Sequence, residues 1–181
     1  MELAAAGIGF LLDLWMGDPE EWWHPVRGIG WMVDRLERLL RRCFPKSPAG
    51  EMAAGGIMAL VVLAATAGAA GGLLGAARRI HPALGFLLMC VMDWQLLAAK
   101  SLKTESMKVY DALEEGDVEK ARQAVSRIVG RDTRPLSEEG IIKAAVETVA
   151  ENTSDGVIAP LFYLMVFGPM WGFAYKAVNT M

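Results

Sequence analysis

Apolar residues in this chain gather into long runs, separated by polar stretches that carry a helical period. Met52–Ala77 holds no charge over 26 residues, which exceeds the ~20 residues a helix needs to cross a bilayer. Its many Gly and Ala residues suit close helix packing. Ala83–Ala99 is a second membrane segment, broken only by Asp93 and Gln95, and Arg78-Arg79-Ile80-His81-Pro82 joins the two as a tight turn. An acidic residue in such a segment is a functional candidate; its nearness to Lys100 offers the plainer reading of an interfacial charge. Val157–Tyr175 is a third uncharged run, interrupted by Gly168-Pro169. Proline removes a backbone donor and clashes with the preceding turn, so this run either crosses with a kink or enters and returns. Leu3–Leu12 is too short to span; extended to Met16 it makes an interfacial or tilted helix.

The polar stretches read as amphipathic helices. Gly28–Arg42 places Ile29, Met32, Val33, Leu36, Leu39 and Leu40 on one side and Arg35, Arg38, Arg41 and Arg42 on the other, as a helix on a membrane surface does. Between Lys100 and Asp155, one helix carries Leu102, Val109, Tyr110 and Leu113 and stops at Gly116. Asp117 caps a second, with Val118, Ala121, Val125 and Ile128 inward. Ser137 caps a third, whose apolar face is predicted to be Ile142, Val146 and Val149. On another face of that helix Lys143, Glu147 and Glu151 recur every four residues, and the helix runs into Asn152-Thr153-Ser154-Asp155-Gly156. A row of this kind is ordinarily a solvated face, and such a polar cluster a helix stop. Here both stand where a polar segment meets an apolar one.

The expected fold is therefore all-α: a single membrane-embedded domain over 1–181, with membrane segments at 52–77, 83–99 and 157–175 and helical polar regions beside them. Composition agrees, at 54% apolar with a mean hydropathy of +0.30. The net charge of −3 leaves no nucleic-acid footprint. Cys43 and Cys90 are isolated and read as plain thiols, and Glu2 stands where a secretory signal carries basic residues. Six Lys/Arg in Trp15–Glu51 and nine in Lys100–Gly156, against two in the intervening turn, put both polar stretches on the cytoplasmic side.

Several motifs recur in a familiar order: Gly17-Asp18-Pro19 with His24-Pro25-Val26-Arg27, Ala99-Lys100-Ser101-Leu102, and Val129-Gly130-Arg131-Asp132-Thr133. Ala145–Gly156 with Pro160, and Tyr175-Lys176-Ala177-Val178-Asn179-Thr180, complete the set. In this combination the chain resembles the adenosylcobinamide-phosphate synthase family, the membrane-bound CobD/CbiB cobalamin-biosynthesis proteins. The family's last motif continues beyond Thr180, so the chain is expected to be the N-terminal part of such an enzyme. The resemblance implies an amide-forming ligase of the cell membrane that joins aminopropanol, or its phosphate, to a carboxylate of cobyric acid with ATP and Mg²⁺. It implies a corrinoid substrate, a lipid bilayer and other cobalamin-synthesis proteins as partners. A non-catalytic membrane sensor or assembly protein of the same superfamily is the alternative.

That chemistry needs hard oxygen ligands for Mg²⁺ and a base for the incoming amine. Glu147, Glu151, Asn152 and Asp155 are the candidate catalytic residues, with Glu151 and Asp155 as metal ligands. His24, Arg27, Arg131, Asp132, Lys176 and Asn179 are the candidate substrate contacts, the cations for phosphate. No Gly-x-x-x-x-Gly-Lys-Ser/Thr loop is present, so ATP use is implied by the resemblance alone. If Gly168-Pro169 turns the chain back, Lys176 and Asn179 are expected on the face that holds Glu151, Asn152 and Asp155.

Overall fold

The computed structural model describes residues 1–18 and 24–181; the Trp22-Trp23 pair, a pairing that suits a membrane's headgroup region, lies outside the described residues. Among these, all regular structure is helical: α1 (Glu2–Met16), α2 (Pro25–Cys43), α3 (Pro48–Ile80), α4 (Pro82–Trp94), α5 (Ala99–Glu114), α6 (Val118–Ser126), α7 (Glu138–Thr153), α8 (Ala159–Phe167) and α9 (Pro169–Thr180). A single π-helical turn, Ser154–Ile158, joins α7 to α8. Proline opens α2, α3, α4 and α9, where its missing N–H costs no helical bond and its fixed φ suits the first turn. His24, Ser47, His81, Asp117 and Ser137 cap their helices by accepting a backbone N–H.

Pro48–Ile80 and the nearly continuous Pro82–Glu114, interrupted at 95–98, are long and apolar enough to cross a membrane. Only 17% of the most apolar window of α3 is buried, and Leu60 and Leu73 stand outward. So wide an apolar face with no protein cover belongs in lipid, and these helices associate the chain with a membrane.

α1, α3, α4, α8 and α9 form an apolar bundle around Ala6, Ala70, Met92, Leu96, Leu97, Leu164 and Phe173. α1 meets α4 closely because Gly9 has no Cβ: one built there would stand 2.8 Å from the Trp94 backbone nitrogen. A second core lies between α5, α6 and α7. The bundle has two unlike ends. At one, Arg78 reaches Glu2 (3.6 Å) and Gly168 packs on Glu2. At the other, α1 meets α5, and the Ala98 N–H donates to the Gly156 carbonyl of the π-turn (3.2 Å). The polar motifs collect at this second end.

Val157–Tyr175 folds into a helical hairpin. Gly168, at φ 81°, reverses the chain, and Tyr163 stacks on Tyr175 with ring centroids 5.0 Å apart. α8 runs from the end of the bundle that holds Gly156 to the end that holds Glu2 and Arg78, and α9 returns beside it.

Three local expectations are corrected. The buried face of α7 is Ile141, Ala144 and Thr148, while Ile142 and Val146 are exposed; α5 and α6 take the face one residue round from the predicted one. The apolar side of α2 is not laid on lipid: Ile29, Met32, Val33 and Leu36 pack with Val62 and Met58 of α3 and Ala177 of α9. Asp93 is no interfacial charge: it is fully buried beside α1, and neither carboxylate oxygen finds a hydrogen-bond partner among the described residues.

Candidate functional site

The site is assembled where α5 begins. Its N-cap residue, Ala98, has no side chain to offer, so the cap comes from another helix: fully buried Asp13 of α1 accepts the Ala99 N–H at 2.7 Å. The Trp94 indole donates to the Gly17 carbonyl (2.9 Å), the Lys100 ammonium to the Trp15 carbonyl, and the Asp18 N–H to Ser101 (3.3 Å). Gly17 takes φ 70°, a backbone region open chiefly to glycine. The Gly17-Asp18 turn is thereby fastened over the first turn of α5.

Two adjoining cavities open here. A cleft of about 300 Å³ is lined by Asn152, Asp155, Lys176 and Asn179, with Ser101 and Glu105 of α5 across from them. Asn179 donates from Nδ2 to Asp155 Oδ2 at 3.1 Å. Positions 24 apart in sequence thus meet because the α8–α9 hairpin folds back. A groove of about 420 Å³ adjoins the cleft, lined by Asp18, Arg27, Lys100, Thr104, Lys108 and Arg127 among others; Ser101, Glu105 and Arg127 border both. A larger cavity, about 590 Å³, lies away from these motifs beneath the α2–α3 connection, around Glu37, Phe44 and Met58.

The ten sequence candidates separate. Asn152, Asp155, Lys176 and Asn179 share the cleft, and Arg27 lines the groove. His24 is the half-buried cap of α2: its Nδ1 accepts the Val26 N–H (3.2 Å), and its Nε2 stands 3.7 Å from Asp18. Burial pushes the imidazole below its usual range, with the Asp18 carboxylate opposing that shift and Lys176 adding to it. Glu147 pairs with Arg131 at 3.0 Å on an exposed face, and Glu151 is likewise exposed. Arg134 clamps Asp132 and holds its carboxyl down at about 2. Glu147, Glu151, Arg131 and Asp132 line neither cavity.

The π-turn accounts for part of this division. Its wider winding takes Asp155 off the Glu147–Glu151 row and toward α9. Sequence reasoning missed Asp13, Ser101, Thr104, Glu105, Lys108 and Arg127. Only the Ala99-Lys100-Ser101-Leu102 motif pointed toward them, and it carried no assigned role.

Comparison with known proteins decides the family. The CobD/Cbib protein family model matches residues 6–181. The chain belongs to the CobD/CbiB family. It is 45% identical to the cobalamin biosynthesis protein CobD of Clostridium perfringens, over 96% of this chain and 54% of that protein. The CobD of Geobacter metallireducens is 48% identical over 94% of this chain and 52% of its own length. The cobalamin biosynthesis protein CbiB of Salmonella arizonae is 45% identical over the whole of this chain and 56% of its own. The chain spans about half the length of these curated family members. No solved structure matches it.

Proposed function

We propose that this chain supplies the cleft of a membrane-bound amide-forming synthase of cobalamin biosynthesis, one that joins aminopropanol or its phosphate to cobyric acid. The observation that carries the reading is the convergence of Asp155, Asn179 and Lys176 in one cleft at the polar end of an apolar bundle. The names of the relatives and the resemblance of the motifs supply the corrinoid. The charge asymmetry of the polar stretches supports a cytoplasmic orientation of this end.

Amide formation asks two things of a protein. A carboxylate becomes an acyl donor only after phosphorylation or adenylation, and the attacking ammonium must first lose a proton. Asp155 is the carboxylate placed to take that proton. The Asn179 donor on it fixes its orientation toward the cleft. Lys176 offers the cation against which an anionic group of the substrate rests. Asn152, whose Nδ2 donates to the Thr148 carbonyl, leaves its amide oxygen to accept a substrate N–H.

No cluster of three or more His, Cys, Asp or Glu side chains is placed to hold a metal among the described residues. Mg²⁺ in phosphoryl sites usually takes only one or two carboxylates and completes its shell with phosphate oxygens and water. Asp155 at the cleft wall offers one such carboxylate, while Glu151, exposed and outside the cleft, does not join it. Mg²⁺ bound with ATP would neutralise phosphoryl charge there.

The test is product formation by the full-length protein in detergent, together with cobyric acid binding. Lys176→Met is expected to abolish formation of adenosylcobinamide or its phosphate while the variant keeps its helical circular dichroism. Full activity in Lys176→Met, or cobyric acid failing to bind the wild-type protein, would overturn the proposal.

A further inference from the structure

The groove beside the cleft carries a second kind of chemistry. Four cations, Arg27, Lys100, Lys108 and Arg127, line it against two carboxylates, Asp18 and Glu105, and the hydroxyls of Ser101 and Thr104 are in the same wall. These side chains come from the Gly17-Asp18 turn, α2, α5 and the end of α6, so their meeting is a product of the fold and not of one charged helix. The 16-residue helix α5 also points its N-terminal turn at this region, which adds positive potential.

Glu105 is the decisive residue. It lies between two of the cations, with Oε1 2.5 Å from the Lys108 ammonium and Oε2 3.2 Å from Arg127 Nε. Its side chain is only 22% exposed, and Oε2 has no hydrogen bond of good geometry despite that ion contact. A carboxylate that neutralises a basic groove while its own oxygen is poorly satisfied occupies the place of a better anion. A phosphate presents more acceptor oxygens and more charge to the same cations.

We propose that this groove is a binding site for a phosphate group of a soluble compound, with Glu105 as its built-in competitor. Lys108, Arg127 and Arg27 contact the anion, Ser101 and Thr104 donate to it, and Glu105 swings from Lys108 and Arg127 when it enters. Because the groove and the cleft share Ser101, Glu105 and Arg127, a phosphate bound here lies next to whatever occupies the cleft. The proposal goes beyond the corrinoid reading and does not depend on it.

The competitor role makes the test specific. Inorganic pyrophosphate and orthophosphate are titrated into the full-length protein in zwitterionic detergent at low ionic strength, by calorimetry, with no corrinoid present. Lys108→Ala is expected to weaken pyrophosphate binding about tenfold or more, the ordinary loss for a charged hydrogen bond. Glu105→Gln, nearly identical in shape, is expected to tighten it severalfold, which loss of a merely structural ion pair would not do. Lys143→Ala, a cation outside both cavities, should leave it unchanged. Preference for pyrophosphate over orthophosphate assigns the groove to a polyphosphate such as a nucleotide; equal binding assigns it to a phosphate monoester. Lys108 is surface-exposed, so its loss does not threaten folding. Absence of pyrophosphate binding in both the wild type and Glu105→Gln overturns the proposal, as does an affinity unchanged in both variants. Either result leaves the corrinoid reading standing, since cobyric acid binding is measured separately.

Discussion

α7 and the turn that follows it carry two charged regions that look alike in sequence and differ in space. On the helix, Lys143, Glu147 and Glu151 face solvent, with Arg131 and Lys143 beside Glu147. A few residues on, Asp155 faces protein: it is held by Asn179 and walls a cleft with Lys176. The first region is made almost entirely of neighbours in sequence. The second needs the π-turn, the Gly168 reversal and the start of α5 to be in place at once. Density of charged motif residues is shared by both regions; convergence of distant elements belongs to one, and that is where chemistry is expected.

The largest effect should follow from breaking the convergence itself. Gly168 sits at φ 81° and ψ 178°, a conformation essentially reserved for glycine. Gly168→Ala is expected to cost about 1–3 kcal/mol and to cut product formation by dislodging α9; unchanged activity and an unchanged melting temperature would show that the reversal is not what positions Lys176. Next comes the cap in trans. Asp13→Ala leaves the Ala99 N–H without its acceptor and should lower stability by about 1–2 kcal/mol, read as a drop in melting temperature, while Asp13→Asn keeps an acceptor oxygen and should cost less. The solvated face should answer weakly: Glu147→Gln removes an exposed pair with Arg131, and such pairs are worth at most about 1 kcal/mol. The smallest effect concerns pH. Burial makes the fold prefer neutral His24, so the unfolded chain binds the proton first as pH falls through the ordinary histidine range near 6.5, and stability is lost in that direction. His24→Asn keeps a good cap without a titrating group, and its melting temperature should fall less than the wild type's between pH 7.5 and 5.5.

Much of this architecture is legible in the chain because its signals are local. Uncharged runs, Ser137 and Asp117 as caps and Gly116 as a stop each rest on a few adjacent residues. The Gly168-Pro169 interruption allowed two readings, and packing chose between them: Leu164 and Leu96 close around Gly172, leaving α9 folded against α8. The face of α7 was misjudged because Ile142 and Val146 are as apolar as Ile141, and only the partners α5 and α6 select among them. Asp13 escaped notice because its task, capping a helix 86 positions away, leaves no mark near it. The Glu147–Glu151–Asp155 series looked continuous because four-residue spacing assumes an unbroken α-helix, and the π-turn breaks it.

The contrast between the two regions rests on one comparison of rates. Asp155→Asn and Glu147→Gln each exchange a carboxylate for its amide, one inside the cleft and one on the solvated row. Both are assayed in the full-length protein for formation of adenosylcobinamide or its phosphate from cobyric acid. The account predicts that Asp155→Asn loses about a hundredfold or more in rate, as removal of a general base does, while Glu147→Gln stays within about threefold of wild type. Comparable losses in both, or a larger loss in Glu147→Gln, would contradict it.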